Sequence, residues 1–302
     1  MRKYITSLLI FILIISPVVS AQSLEDVLNR KLEERASPAY TIATFKTGRI
    51  INGHSIENPE RGDLLFLVSH RFGTLNTGFY NFFGLDNSST RLGLAYGISD
   101  RFNIGIGRAT YQKTWDGYFK YKILRQQSGN SGMPFTLSLV LAADINTLKP
   151  VDPEISYSLT NRMSYVSQLL IARKFGPKFS LQITPSYIHK NLVVKRVDQN
   201  NIFAIGTGSR FKISQRVSLN AEYYYLLPGE TAKNYQDSFS IGFDIETGGH
   251  VFQLHLTNSQ SIIERGFITE TAGRWMDGDI RFGFNIIRVF GLQRKSIKLN
   301  EQ

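Results

Sequence analysis

Between Leu64 and Phe290, apolar and polar positions alternate in segments of about ten residues, the length a strand needs to cross a bilayer. The pattern is clearest at Asp237-Ser-Phe-Ser-Ile-Gly-Phe-Asp-Ile-Glu246. Phe239, Ile241, Phe243 and Ile245 share one parity, while Ser238, Ser240, Gly242, Asp244 and Glu246 share the other. Successive strand side chains point to opposite faces, so one face here is apolar and the other ends in two carboxylates. Twelve such strands are predicted, at 64–73, 90–98, 101–109, 115–125, 134–143, 162–174, 178–189, 201–213, 217–226, 237–246, 250–257 and 279–290.

The connections segregate by length. Even-to-odd links are short: Ser99-Asp100, Gly176-Pro177, Ser214-Gln215-Arg216 and the hairpin signal Thr247-Gly248-Gly249, with Gln126 to Gly132 somewhat longer. Odd-to-even links are mostly long, at 74–89, 144–161, 190–200, 227–236 and 258–278; only 110–114 is short. Short turns at one end and long loops at the other, with an even strand count, are what an antiparallel transmembrane β-barrel requires. A soluble sandwich gives no reason for that asymmetry. The aromatics agree: Trp115, Tyr165, Tyr187, Tyr223 and Tyr225 fall near one rim on the apolar parity. Phe66, Phe102, Phe135, Phe179, Phe211, Phe252 and Phe290 fall near the other.

The start of the chain suggests export. Arg2 and Lys3, the apolar run Ile5 to Ile15, and Val19-Ser20-Ala21 have the layout of a cleaved signal peptide over residues 1–21. That run is too short for a comfortable helical span, and no other is as uniformly apolar. Residues 22–62 form an N-terminal periplasmic or plug segment. Ser23-Leu-Glu-Asp26 resembles a capping box opening a short helix to about Arg35, and Thr41 to Phe45 and Arg49 to His54 look extended. The barrel occupies 63–290, and a basic tail covers 291–302.

Composition changes the picture only in part. The net charge is +11, of which Arg2 and Lys3 belong to the signal. An exported basic chain is expected to meet anionic lipid headgroups or solutes rather than nucleic acid. The absence of cysteine excludes disulfides and thiolate metal sites.

With the apolar parity facing lipid, the other parity lines the lumen. The candidate lumen residues are the cations Arg71, Arg91, Lys120, Lys122, Lys174, Arg210, Lys212 and Arg281, the anions Asp116, Glu222, Asp244 and Glu246, and His255. Inward glycines, among them Gly93, Gly107, Gly206 and Gly242, leave room for long side chains. Two functions are consistent with this face. The cationic excess suits a channel for small anionic solutes; an interior of ion pairs suits a closed structural, adhesive or lipid-binding barrel. Lys174 and Lys212 end near Asp244 and Glu246, so these carboxylates are candidates to close that mouth by pairing.

No enzyme is expected. His255 shares the inward parity with Ser238 and Ser240, but a hydrolase needs their mutual bonding and a third, orienting group. His54, His70, His189 and His250 have no metal spacing, Gly105-Ile-Gly107 lies in no βαβ pattern, and no cofactor is implied. The loop Asn258 to Gly278, with Glu264, Arg265, Glu270, Arg274, Trp275 and Met276, is either exposed surface chain or folds into the mouth. In the second case it pairs Arg265 or Arg274 with lumen carboxylates.

The run Asp244-Ile-Glu-Thr-Gly-Gly-His-Val-Phe-Gln-Leu-His-Leu-Thr-Asn-Ser259 and the later Gly278-Asp-Ile-Arg-Phe-Gly-Phe-Asn-Ile-Ile-Arg-Val-Phe290 go beyond periodicity. With His70-Arg-Phe-Gly73, Arg91-Leu-Gly-Leu-Ala-Tyr-Gly-Ile98, Asp116-Gly-Tyr-Phe-Lys-Tyr-Lys122 and Val217-Ser-Leu-Asn-Ala-Glu-Tyr223, they resemble an outer-membrane β-barrel family of Bacteroidetes-type bacteria with no assigned function. The resemblance spans most of the mature chain. It implies a barrel in a Gram-negative outer membrane, with membrane lipid and, during insertion, the barrel-assembly machinery as partners. It supplies no functional residue. Phe290, followed by a basic tail, departs from the usual terminal aromatic of such barrels.

Overall fold

The computed structural model describes residues 39–128, 132–150, 157–193 and 195–292. The expected signal peptide and cleavage site, the expected helix from Ser23 and the tail beyond Leu292 lie outside the described residues. Contacts divide the chain into two compact units. The smaller takes in residues up to Tyr40 together with 127–132; its described part has an antiparallel bridge between Tyr40 and Gln127. The larger unit, residues 41–126 and 133–302, contains the barrel.

The barrel strands are β1 (Asp63–Thr74), β2 (Ser88–Gly97), β3 (Phe102–Ala109), β4 (Trp115–Leu124), β5 (Thr136–Ile145), β6 (Met163–Lys174), β7 (Phe179–Lys190), β8 (Asn201–Lys212), β9 (Val217–Leu226), β10 (Ser238–Thr247), β11 (His250–Thr257) and β12 (Arg281–Gly291). Each pairs antiparallel with its sequence neighbours, and β1 pairs with β12, so the sheet closes without an edge. The boundaries fall within two residues of those expected, and two irregularities trace to proline. β5 begins at Thr136 rather than 134, because Pro134 has no N–H to give a ladder, and it runs on to Ile145. Pairing between β6 and β7 skips the positions facing Pro185, for the same reason.

Strand parity sorts the surface as the alternation predicts. Trp115, Phe119, Tyr187, Phe203 and Tyr225 stand exposed on the outward face, while Ser138, Gln168, Gln182, Asn220, Gln253 and Asn285 are buried inside.

The interior is filled from both ends. From the short-turn end, residues 44–58 enter as a hairpin. Its tip is tight: Ile50 N donates to Gly53 O (2.9 Å), Ser55 N donates to Gly48 O (3.0 Å), and Arg49 bridges His54. Arg49–His54 is therefore a turn and not the extended run expected. Gly53 suits the tip for want of space, since a Cβ there would meet the Tyr224 hydroxyl at 2.0 Å. From the long-loop end, the β11–β12 connection dips inward and forms a helix. With α1 as Glu230–Asn234 in the β9–β10 loop, this helix is α2, Glu264–Thr269, and all six of its residues are buried. Apart from Gln260, residues 258–269 are thus not surface loop; further along that connection, Ala272, Arg274, Met276 and Asp277 are exposed.

Each insert has an apolar seat. Phe267 and Ile268 of α2 pack on Val166, Ile188, Ile202, Ala204, Tyr224 and Leu226. Phe45, Ile50 and Ile56 of the hairpin pack on Val140, Leu170 and Ala172. These wall residues are apolar although they face the lumen, and they gain from cover that excludes water. Burying one such large side chain contributes roughly 2 kcal/mol.

Candidate functional site

The site is the lumen, where wall side chains hold two inserted segments. Most of the hold on the hairpin consists of wall side chains bonding its backbone. Glu222 on β9 accepts from three successive amides at the tip, Ile51 N (3.2 Å), Asn52 N (2.8 Å) and Gly53 N (3.1 Å). Lys120 Nζ donates to Ser55 O (3.0 Å) and Glu57 O (2.5 Å). Arg210 donates to Ala43 O (3.0 Å) and to Ser218 Oγ (3.1 Å), and Lys174 Nζ donates to Ile42 O (2.9 Å). Gln253 and Asn285 donate to Ile50 O and Ile51 O, each at 3.0 Å.

Arg71 lies between both inserts. It donates to Asn52 Oδ1 of the hairpin and to Ser259 O and Ser261 O of the β11–β12 connection. Arg91 makes a two-pronged pair with Asp116 on the wall (2.9 and 2.5 Å). Asp244 accepts from Gln253 Nε2 (2.8 Å), and Arg281 donates to Phe72 O (3.3 Å). Lys122 and Lys212 are half-buried on β4 and β8. The turn-end mouth is not closed by the wall lysines expected to pair there. Glu246 pairs instead with Lys46 of the hairpin, a partner on another segment that strand parity cannot indicate. His255 is buried beside Gly283 and bonds neither serine; Ser240 Oγ donates to Thr257 Oγ1 (2.8 Å) and accepts from Asn52 Nδ2 (2.8 Å). The hydrolytic pair is therefore not assembled.

The inserts meet at Glu264. Its carboxylate accepts from Arg49 of the hairpin, and its Oε1 is 3.1 Å from His54 Nε2. Burial raises the Glu264 carboxyl, but Arg49 and His54 lower it more, leaving it well below the usual carboxylate range. Burial and the nearby Arg49 push the His54 imidazole down to about 3, so it is neutral at pH 7. The next residue, Arg265, donates to Asp144 on β5 (2.9 Å), Glu270 (2.6 Å) and Gln112 (2.7 Å), and Lys190 on β7 donates to Glu270 (3.0 Å). Arg265 and Lys190 hold Glu270 ionised against its burial. Arg274, the other loop arginine, stays exposed.

Several members of this network were missing from the sequence expectation. Asp144 and Lys190 each lie one residue beyond a predicted strand end, on the inward parity. Extending the alternation by one step finds both. Arg49, His54 and Glu264 lie outside any strand, and no periodicity marks them.

Space follows the same division. A vestibule of about 440 Å³ at the turn end is lined by Lys46, Glu57, Asn58, Glu246 and His250. A second of about 300 Å³ at the loop end is lined by Gln112, Tyr157, Arg162, Arg265 and Glu270. Between them, the space beside Arg49, Arg91, Tyr118 and Lys120 is about 30 Å³, room for a couple of waters.

Residues 45–290 match the family described as "Membrane bound beta barrel domain (DUF5777)". No curated protein matches the sequence. Among solved structures the barrel is similar to the NanC porin, at 10% identity over 75% of this chain and 98% of that one, TM-score 0.47. It is similar to the KdgM porin in complex with disordered oligogalacturonate, at 7% identity over 76% and 99%, TM-score 0.46. It is also similar to an outer-membrane channel from Pseudomonas putida F1, at 15% identity over 78% and 98%, TM-score 0.49.

Proposed function

The chain belongs to this family of membrane-bound β-barrels, and from that premise we propose that it is an outer-membrane channel held shut by its own hairpin and α2. The long-loop end faces outward and the short-turn end faces the periplasm. The observation that carries the proposal is the way the hairpin is held. Wall residues grip it through hydrogen bonds and ion pairs, which water can replace when the segment withdraws. The wall it leaves behind is polar: Arg71, Lys120, Arg210, Glu222, Gln182 and Gln253 are all inward and buried under it. A barrel filled only for stability has no need of a wettable wall beneath its filling.

Cations outnumber carboxylates on that wall. Beside the Arg91–Asp116 pair stand Arg71, Lys120, Lys122, Lys174, Lys190, Arg210, Lys212 and Arg281, against Asp144, Glu222, Asp244 and Glu246. The open form therefore favours small anionic solutes. Reversal potentials of the refolded protein in a planar bilayer under a salt gradient test this. Anion selectivity is expected; cation selectivity refutes it. The two apolar seats favour a second reading, a permanently closed structural barrel, for which no variant of the inserts conducts.

A further inference from the structure

The outward wall from β3 to β6 has a recess. Cross-strand pairing puts Ile106, Gly117, Ala143 and Tyr165 in one row across four strands. The row nearer the loop end carries Arg108, Trp115 and Ile145, and the row below carries Ile104, Phe119 and Leu141. The small pair Gly117–Ala143 is therefore a floor walled by large apolar side chains. The recess encloses about 630 Å³ and opens to the membrane side. Its floor is not dictated by backbone packing. A Cβ on Gly117 meets only Gly105 O, at an ordinary 3.6 Å, so a larger residue fits there without strain.

We propose that this recess binds an acyl chain of a phosphorylated glycolipid of the outer leaflet, with Arg108 meeting the phosphate. The inference rests on the outer-membrane location and orientation given above. The recess is continuous with the lipid-facing band, so its occupant comes from the bilayer. Dispersion favours a chain that fills it over one sliding across a smooth wall. Charge and polarity then select the lipid. Arg108 sits at the loop-end rim, directly above the recess. Its guanidinium lies 5.5 Å from the Trp115 ring and donates to Ala109 O (2.5 Å); among the described residues no carboxylate pairs with it. An uncompensated guanidinium at that level faces headgroup phosphate, which it recognises by a two-pronged bond. Trp115 and Tyr165 flank the entrance as interfacial aromatics do. Head at the rim and chain towards mid-membrane is the order a lipid of that leaflet presents.

The test is native mass spectrometry of the full protein extracted from outer membranes in mild detergent, with titration of purified lipid A and, separately, phosphatidylglycerol. The wild type is expected to retain one lipid A and to prefer it over phosphatidylglycerol. Gly117→Phe, which fills the floor, and Arg108→Gln, which removes the charge, are each expected to weaken retention about tenfold. If Gly117→Phe fails to reach the folded, heat-modifiable form, Ala143→Leu takes its place. Equal retention by wild type and filled variants overturns the proposal, and so does preference for phosphatidylglycerol. A protein that fractionates away from the outer membrane fails the location instead, and is recognised as such before any lipid is added.

Discussion

Arg49 and Glu264 are 215 residues apart in sequence, yet the guanidinium of one donates to the carboxylate of the other in the middle of the barrel. Arg49 arrives from the turn end on the hairpin, and Glu264 arrives from the loop end at the start of α2. Their side chains are 8% and 5% exposed, so the pair is shielded from solvent, and Arg49 also lines the narrow space of about 30 Å³ between the two vestibules.

Removing one partner strands the other. Glu264→Gln leaves Arg49 buried with a neutral neighbour, at an expected cost of about 3 kcal/mol to docking of the inserts. Arg49→Gln costs a similar amount, and the double variant costs less than the sum. Denaturant titration of hairpin docking, followed by a probe on residue 46, measures the cycle; additive costs contradict a direct pair.

Acid should loosen the closure. His54 is held at about 3 when docked, against about 6.5 when released into water. The docked state therefore refuses a proton that the released state accepts. Docking is at full strength above pH 6.5 and weakens as pH falls towards 3. At pH 5 the loss is about 2 kcal/mol. The groups facing His54 are Arg49, Glu264, Lys120 and the Tyr118 ring at 4.4 Å. Glu264, held low by Arg49 and His54, adds a loss of the same sign below pH 4.5. Channel openings should rise between pH 7 and pH 5 and lose that rise in His54→Gln; an unchanged pH response in the variant assigns the effect elsewhere.

The tip of the hairpin is clasped by Glu222. Glu222→Gln keeps the shape but removes the charge that three amides share, which weakens the clasp by about 2 kcal/mol. Hydrogen exchange at Ile51, Asn52 and Gly53 is expected to accelerate at least tenfold while exchange in β9 stays slow. Unchanged protection at those amides contradicts the role given to Glu222.

Phe267 is fully buried against the β6–β9 wall. Phe267→Ala removes most of that seat, at about 3 kcal/mol. The barrel should keep its heat-modifiable mobility while residues 258–271 become open to protease. Loss of the barrel itself shows that α2 is a structural strut.

Much of the fold was written in the alternation, because strands in a membrane barrel must be two-faced. Ser238 to Glu246 shows this: parity alone places Asp244 inside and Phe243 outside. The filling was less legible, although its trace was present. Val140, Leu170, Ile188 and Ile202 are apolar on the lumen parity, and in a wet pore they have no reason to be. An apolar patch facing inward indicates a cover. Pairings such as Arg49 with Glu264 or Lys46 with Glu246 join segments with no shared period, so only the folded chain reveals them.

Single-channel conductance compares the protein most directly with its own open form. In planar bilayers the refolded wild type should rest closed, with rare brief openings. The Arg49→Gln/Glu264→Gln variant and a deletion of residues 44–58 should conduct steadily and favour chloride over potassium. A wild type that conducts as well as the deletion, or a folded deletion variant as silent as the wild type, contradicts a channel closed by its hairpin and α2.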